Sequence, residues 1–210
     1  MYNVIGEYKM KLLEKYNIEF KENSKIETAL THSSYAHENN VESYERLEYL
    51  GDAVLEVVTS HYLYSNTDYS EGHMSKLRSS YVCETALDEY AKEINLKDYI
   101  KLGKGIKKPN KAVIADVFEA VIGVIYLENG IEDVRHLFNK LIVPYIENVN
   151  YDFLGDYKST LQELVQTDKK SVEYIVTKEY GPSHNKTFLV DVIIEGKVFG
   201  SGEGKSKKEA

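Results

Sequence analysis

Two short runs of the sequence hold carboxylates at spacings that chemistry can use. In residues 44–64, YERLEYLGDAVLEVVTSHYLY, Glu45, Glu48 and Asp52 stand at i, i+3 and i+7, and Glu56 extends the series. Wound as an α-helix at about 100° per residue, these fall on one stripe, with Leu47, Leu50, Val54, Val57, Val58 and His61 gathered on the opposite side. A helix with such an apolar face docks on a core, and docking gives its acidic stripe a fixed position. In residues 114–127, IADVFEAVIGVIYL, Asp116 and Glu119 are the only charges on an otherwise apolar helix and share one face. Carboxylates on a buried helix are costly unless paired or bound to a cation, and no Lys or Arg lies within that segment. If the two helices pack together, four or five carboxylates converge without an internal counter-charge. Hard oxygen donors of this kind suit Mg²⁺, with Mn²⁺ as a substitute, and not Zn²⁺. The competing readings are a stripe that faces water and pairs neutralised by basic residues elsewhere in the fold. A helical carboxylate-bridged di-iron site normally uses Glu-x-x-His pairs, which neither helix contains.

The run Glu45-Arg-Leu-Glu-Tyr-Leu-Gly-Asp-Ala-Val-Leu55 resembles the signature of ribonuclease III, the double-strand-specific endoribonuclease. The resemblance extends to Ala29-Leu-Thr-His-Ser-Ser34, to the Asp116-x-x-Glu119 helix and to the C-terminal third, nearly the whole chain. It implies hydrolysis of phosphodiester bonds on both strands of double-stranded RNA, leaving 5′-phosphates, 3′-hydroxyls and short 3′ overhangs. Precursors of ribosomal and other structured RNAs are the implied substrates. On this reading Glu48, Asp52, Asp116 and Glu119 are direct or water-mediated Mg²⁺ ligands. Asp52 and Glu119 form the essential catalytic pair, Glu45 is a further acidic position, and Glu71, in a Glu-Gly before the next helix, takes a supporting role. Activity should then rise with pH across mild acid as the ligands ionise. Cutting two strands implies a homodimer through the nuclease domain, with Tyr49 at the interface where Phe is commoner; a buried phenol there needs a partner. A non-catalytic RNA-binding relative would have lost carboxylates, and all the expected acids are present.

The elements that must position these residues read as an all-α first domain, residues 1–148, of about eight helices with short connections. Apolar positions at helical spacing over residues 4–20 (Val4, Ile5, Tyr8, Leu12, Leu13, Tyr16) predict an amphipathic first helix, and Ser24 with Glu27 reads as a capping box before residues 26–30. His32 and His37 read as hydrogen-bonding residues near a helix end. Residues 74–90 resume helical spacing, with Lys76 and Arg78 as exposed cations and Cys83 as a small buried residue; residues 87–94 continue the pattern, and residues 131–148 give a last helix. Between them Lys104-Gly-Ile-Lys-Lys-Pro-Asn-Lys111 carries four Lys in eight residues, beside the second acidic helix. Such a loop can hold phosphates by counterion release, although it is shorter here than in many family members.

Residues 149–155 read as a linker. From residue 156 to 210 the period changes: a helix at 157–167, then alternating strands at 172–179, 187–194 and 197–203. A helix followed by three antiparallel strands resembles the α-β-β-β-α double-stranded RNA-binding domain, here a small α+β domain whose last helix is missing from the sequence. The matching residues are Lys158-Ser-Thr-Leu-Gln-Glu163, the loop Gly181-Pro-Ser-His-Asn-Lys186 and Gly204-Lys-Ser-Lys-Lys-Glu-Ala210. By resemblance Gln162 and Glu163 touch one minor groove, His184 the next, and Lys205, Lys207 and Lys208 the phosphates between.

Composition sets the outer bounds. Net charge is −8 over 210 residues, which on its face disfavours a nucleic-acid partner. Residues 151–210 carry 9 Lys and 10 acidic residues, so the surplus lies in residues 1–150, part of it in the carboxylate cluster. The 42% hydrophobic content supports ordinary cores, and no apolar run is long enough for a membrane span. A single cysteine forms no internal disulfide, and with no signal peptide pattern the expectation is a reducing cytoplasm.

Overall fold

The computed structural model describes residues 12–147, 161, 165, 170–182, 185–207 and 209–210. The chain divides into two compact units, Met1–Gly155 and Asp156–Ala210. Among the described residues the first is helical: α1 (Asn23–Ala29), α2 (Ser33–Asn39), α3 (Glu45–Asn66), α4 (Glu71–Tyr81), α5 (Glu84–Glu93), α6 (Lys111–Asn129), α7 (Ile131–Leu137) and α8 (Val143–Glu147), with 3-10 turns at Glu14–Tyr16 and Leu96–Tyr99.

Helix α6 is the axis of this unit. Its run of Val117, Phe118 and Ala120–Ile125 is buried, and α1, α3, α5 and α7 pack around it. Asn110 caps its first turn, accepting from the Val113 N–H at 2.9 Å. The closest partner is α3. A Cβ on Gly51 would overlap the Glu119 carbonyl, and one on Gly123 would meet the Leu47 carbonyl oxygen at 2.5 Å. Glycine at both crossing points therefore lets the two backbones touch. This contact turns α3 so that Gly51, Val54, Leu55, Val58, Thr59 and Leu63 are buried, whereas Val57 and His61 are exposed. The core face read from apolar residues alone is thus corrected: glycine has no apolar side chain to mark the contact, so the pattern pointed about one residue off.

Other local expectations are also corrected. Residues 1–11 lie outside the described set, and in residues 12–20 the expected helix is only a 3-10 turn, ended by Asn17 at φ 56°, a left-handed conformation that Asn tolerates. Helix α1 begins at Asn23 with no side-chain cap. Ser24 is therefore inside the helix and no capping box forms. The continuous helix read over 74–90 breaks at Val82–Cys83, where Cys83, partly exposed, is the extended residue before α5. Arg78 is half-buried and donates through Nη1 to Ser60 Oγ of α3 at 3.2 Å. The expected final helix contains a π-helical turn at Phe138–Ile142 before α8; Pro144 lacks an N–H and its ring crowds the preceding turn, which a wider turn relieves.

In the second unit β1 (Val172–Tyr180), β2 (Thr187–Ile194) and β3 (Lys197–Gly204) form an antiparallel sheet in the order β1-β2-β3. The β2–β3 hairpin turns through Glu195 and Gly196, both at positive φ, the two-residue geometry that follows strand twist. The helix expected at 157–167 falls mostly outside the described residues; Leu161 and Val165 within it are helical, and Val165 is buried. The expected linker at 149–155 also lies outside them.

Candidate active site

The α3–α6 contact brings the two acidic pairs together. Close approach at Gly51 leaves Glu48, about one turn before it, and Asp52, the next residue, facing Asp116 and Glu119 on α6. The consequence is electrostatic. Burial first, and then the charges of Asp52, Glu48, Asp116 and Glu56 in that order, together push the Glu119 carboxyl up to about 8 from an ordinary 4.5. Glu48 is raised as well, first by burial, then by Asp116, Glu45 and Asp52. These effects all have one sign, because no Lys or Arg acts on either group. The four do not close into a cage: among the described residues no three His, Cys, Asp or Glu side chains stand at metal-holding separation. Like charges without a counter-ion keep such a distance.

One neutral donor enters the cluster. Tyr44, the residue before α3, is 5% exposed, and its hydroxyl donates to Asp116 Oδ2 at 3.0 Å. Burial raises its phenol pKa, and the Asp116 charge and hydrogen bond, then Glu48 and Glu45, add to the shift. The ring lies against His32 at 5.8 Å between centroids. His32 is the N-cap of α2, its Nδ1 accepting from the Ser34 N–H at 3.1 Å. Ser34 Oγ is 2.8 Å from the same nitrogen and accepts from the Gly103 N–H at 2.9 Å. The Tyr44 N–H donates to the Thr31 carbonyl at 3.0 Å, and the His32 N–H to the Lys101 carbonyl at 3.1 Å. Residues 29–34 are therefore a brace between the start of α3 and the loop leading to α6. His32 does hydrogen-bond as read from the sequence, and its contact with Tyr44 explains the place of this run in the motif.

Glu45 stands at the exposed start of α3, accepting from Ser43 Oγ at 3.0 Å, and its charge reaches Glu48 and Tyr44. Glu71 opens α4, accepts from Ser75 Oγ at 3.0 Å and is not among the groups acting on Glu48 or Glu119. The basic loop is pinned at one end, where the Lys104 N–H donates to Glu38 Oε1 at 2.9 Å, and its four lysines are exposed. In the second unit Lys205 Nζ donates to Thr187 Oγ1 at 3.1 Å, and Lys207 Nζ is 3.5 Å from Glu179. Gln162, Glu163, His184 and Lys208 lie outside the described residues. Reading the sequence missed Tyr44, Gly51 and Gly123. Gly51 lies inside the acidic run and Gly123 four residues beyond Glu119, and two glycines on facing helices are the signal that was available.

The chemistry of the donor set fits a hard divalent cation: four carboxylates, one fixed by a phenol, no Lys or Arg acting on Glu48 or Glu119 among the described residues, and one carboxyl raised by burial and by its acidic neighbours.

Residues 22–146 match the family model described as Ribonuclease-III-like, and residues 157–210 match the double-stranded RNA binding motif. The chain is 45% identical over 208 residues to a ribonuclease 3 of Listeria welshimeri, covering 95% of this chain and 91% of that protein. It is 42% identical, with the same coverage, to one from Oceanobacillus iheyensis. A solved nuclease domain of ribonuclease III from Campylobacter jejuni is 35% identical with TM-score 0.59, spanning 64% of this chain and 95% of that one. With the family model spanning more than half of the chain and such relatives matching nearly end to end, the chain belongs to the ribonuclease III family of double-strand-specific endoribonucleases.

Proposed function

We propose that Glu48, Asp52, Asp116 and Glu119 hold Mg²⁺, or Mn²⁺ in its place, and that this cluster hydrolyses both strands of an RNA duplex to 5′-phosphate and 3′-hydroxyl ends. The observation that carries this is the buried, uncompensated carboxylate cluster at the α3–α6 contact, where burial and then the neighbouring acids raise Glu119 to about 8. When bound, divalent cations supply an activated water and neutralise charge developing on the phosphate oxygens. The protein's part is to hold the ligands in place. Asp52 and Glu119 project from opposite helices across the glycine contact and form the essential pair. Asp116, held by Tyr44, stands one turn from Glu119. Glu45, at the open end of the stripe, extends the acidic surface, and Glu71 supports it from α4. To hold a cation Glu119 would have to be ionised, so activity should rise with pH through the range in which that carboxyl loses its proton.

Two cuts need two clusters, and we assign them to a homodimer. Beside the acidic stripe, α3 carries an apolar face with Tyr49 83% exposed, Val57 60% and Tyr64 78%, more than a lone helix surface would leave to water. One of the Campylobacter jejuni structures concerns a region of that domain involved in dimer formation. In the second unit Gln162, Glu163 and His184 would contact minor grooves and Lys205, Lys207 and Lys208 the phosphates. For Lys205 and Lys207 an RNA phosphate replaces the internal partners Thr187 and Glu179. The site of action is the cytoplasm, on ribosomal and other structured RNA precursors; among the described residues no helix is long and apolar enough to cross a membrane.

The test is cleavage of a long labelled RNA duplex with Mg²⁺, with EDTA, and with Glu119→Ala. Staggered double-strand products that vanish in both controls are expected. Cutting that survives either control would overturn the assignment.

A further inference from the structure

We infer that Tyr44 is a positioning residue of the reaction, its hydroxyl holding Asp116 in the orientation that receives a divalent cation, and that the brace formed by residues 29–34 serves to hold Tyr44. The inference rests on the metal reading of the carboxylate cluster and goes one step behind it.

The geometry is specific. Asp116 shares its α6 face with Glu119, and the hydrogen bond described for it is taken at Oδ2 from the Tyr44 hydroxyl, 3.0 Å away. That bond leaves Oδ1 for a cation. Without it, a carboxylate crowded by Glu48 and Glu119 lowers its energy by rotating away from them, and the donor set loses a member whenever the cation leaves. A neutral donor solves this where a lysine would not: a cation at that position would pair with Asp116 and compete with the metal, whereas a phenol orients the carboxylate and leaves its charge intact.

Tyr44 is itself immobilised. Its ring is buried against His32, and its backbone N–H is fixed to the Thr31 carbonyl. His32 cannot turn freely because Nδ1 caps α2 and meets Ser34 Oγ, which in turn accepts from Gly103 N–H. At Gly103 an added Cβ would meet Glu38 Oε1 at 2.7 Å and Ser34 at 3.0 Å. The loop that leads into α6 is thus locked to the residue that holds Asp116 on α6. The order of contacts runs Gly103, Ser34, His32, Tyr44, Asp116.

The experiment is Mn²⁺ binding to the full chain, followed by calorimetry and by the free-ion electron paramagnetic resonance signal, together with the melting point of the metal-free protein. Tyr44→Phe keeps the ring on His32 and removes only the hydroxyl. It should weaken Mn²⁺ binding about tenfold and leave the metal-free melting point unchanged. In an Asp116→Asn background the same substitution should have no further effect on affinity. His32→Asn retains a side chain that caps α2 but removes the ring beneath Tyr44, and should weaken binding by a smaller factor. Unchanged Mn²⁺ affinity in Tyr44→Phe would overturn the inference, as would a lowered metal-free melting point with unaltered affinity, or a loss that persists in full with Asp116→Asn. Wild-type binding no tighter than that of Glu119→Gln would overturn the metal reading itself, and this inference with it.

Discussion

Asp88 and Glu119 are both carboxylates on helices that pack into the same core, and they are treated in opposite ways. Asp88 on α5 is 4% exposed, and Lys92, one turn along, places its ammonium 3.0 Å from it. Glu119 on α6 is less deeply buried, yet no cation acts on it and three of its neighbours across the contact are acids. The second unit repeats the paired pattern: Glu179 has Lys186 at 3.1 Å and Lys207 at 3.5 Å, and its carboxyl lies below the ordinary value, chiefly through the Lys186 hydrogen bond. Asp88 and Glu179 have counter-ions from the protein, whereas among the described residues none acts on Glu119, which is the contrast that the proposed cation site explains.

The comparison can be broken at Glu119 first. Replacing it with Gln should lower duplex cleavage by at least about a hundredfold while raising the melting point of the metal-free protein at pH 8, since a repelled carboxylate is gone. Assay and melting must move in opposite directions; an ordinary structural carboxylate would lose both together. Next is the contact that assembles the cluster. Gly51→Ala forces a methyl into the Glu119 carbonyl and should destabilise the protein by about 3 kcal/mol, measured by urea denaturation. Gly123→Ala should cost less, because its nearest atom is further away.

Much of this was legible in the sequence, and the limits have physical causes. The carboxylates announce themselves because charge on an apolar helix has few explanations, and the three strands show because period-2 patterns are short-range. What holds the carboxylates in register was harder to see. Gly51 and Gly123 act through the side chain they lack, so a search for apolar positions placed Val57 and His61 in the core and left Gly51 out. Tyr44 carries no signal of its own, because its partner Asp116 is 72 residues away and no local pattern encodes that distance. The break at Val82–Cys83 and the π-helical turn before Pro144 were missed because both preserve the average helical spacing on either side.

A smaller effect is expected with pH. The metal-free folded state keeps the Glu119 proton to about 8, whereas the ordinary value is 4.5. Between these values the folded chain binds more protons than the unfolded one, so stability should fall as pH rises through that window. Saturating Mg²⁺ should flatten the slope in thermal melts. Smallest is the control at the paired site. Lys92→Met removes the counter-ion of Asp88, and because Lys92 is exposed the loss should be about 1 kcal/mol, with Mg²⁺ neither restoring nor worsening it.

The central claim, that the unpaired cluster is a cation site, is tested most directly by counting protons. Mg²⁺ titrated into the full chain at pH 7, in two buffers of different ionisation enthalpy, should release up to about one proton per chain, and Glu119→Gln should abolish the release. Binding with no proton release, or release that Glu119→Gln leaves unchanged, would contradict the account.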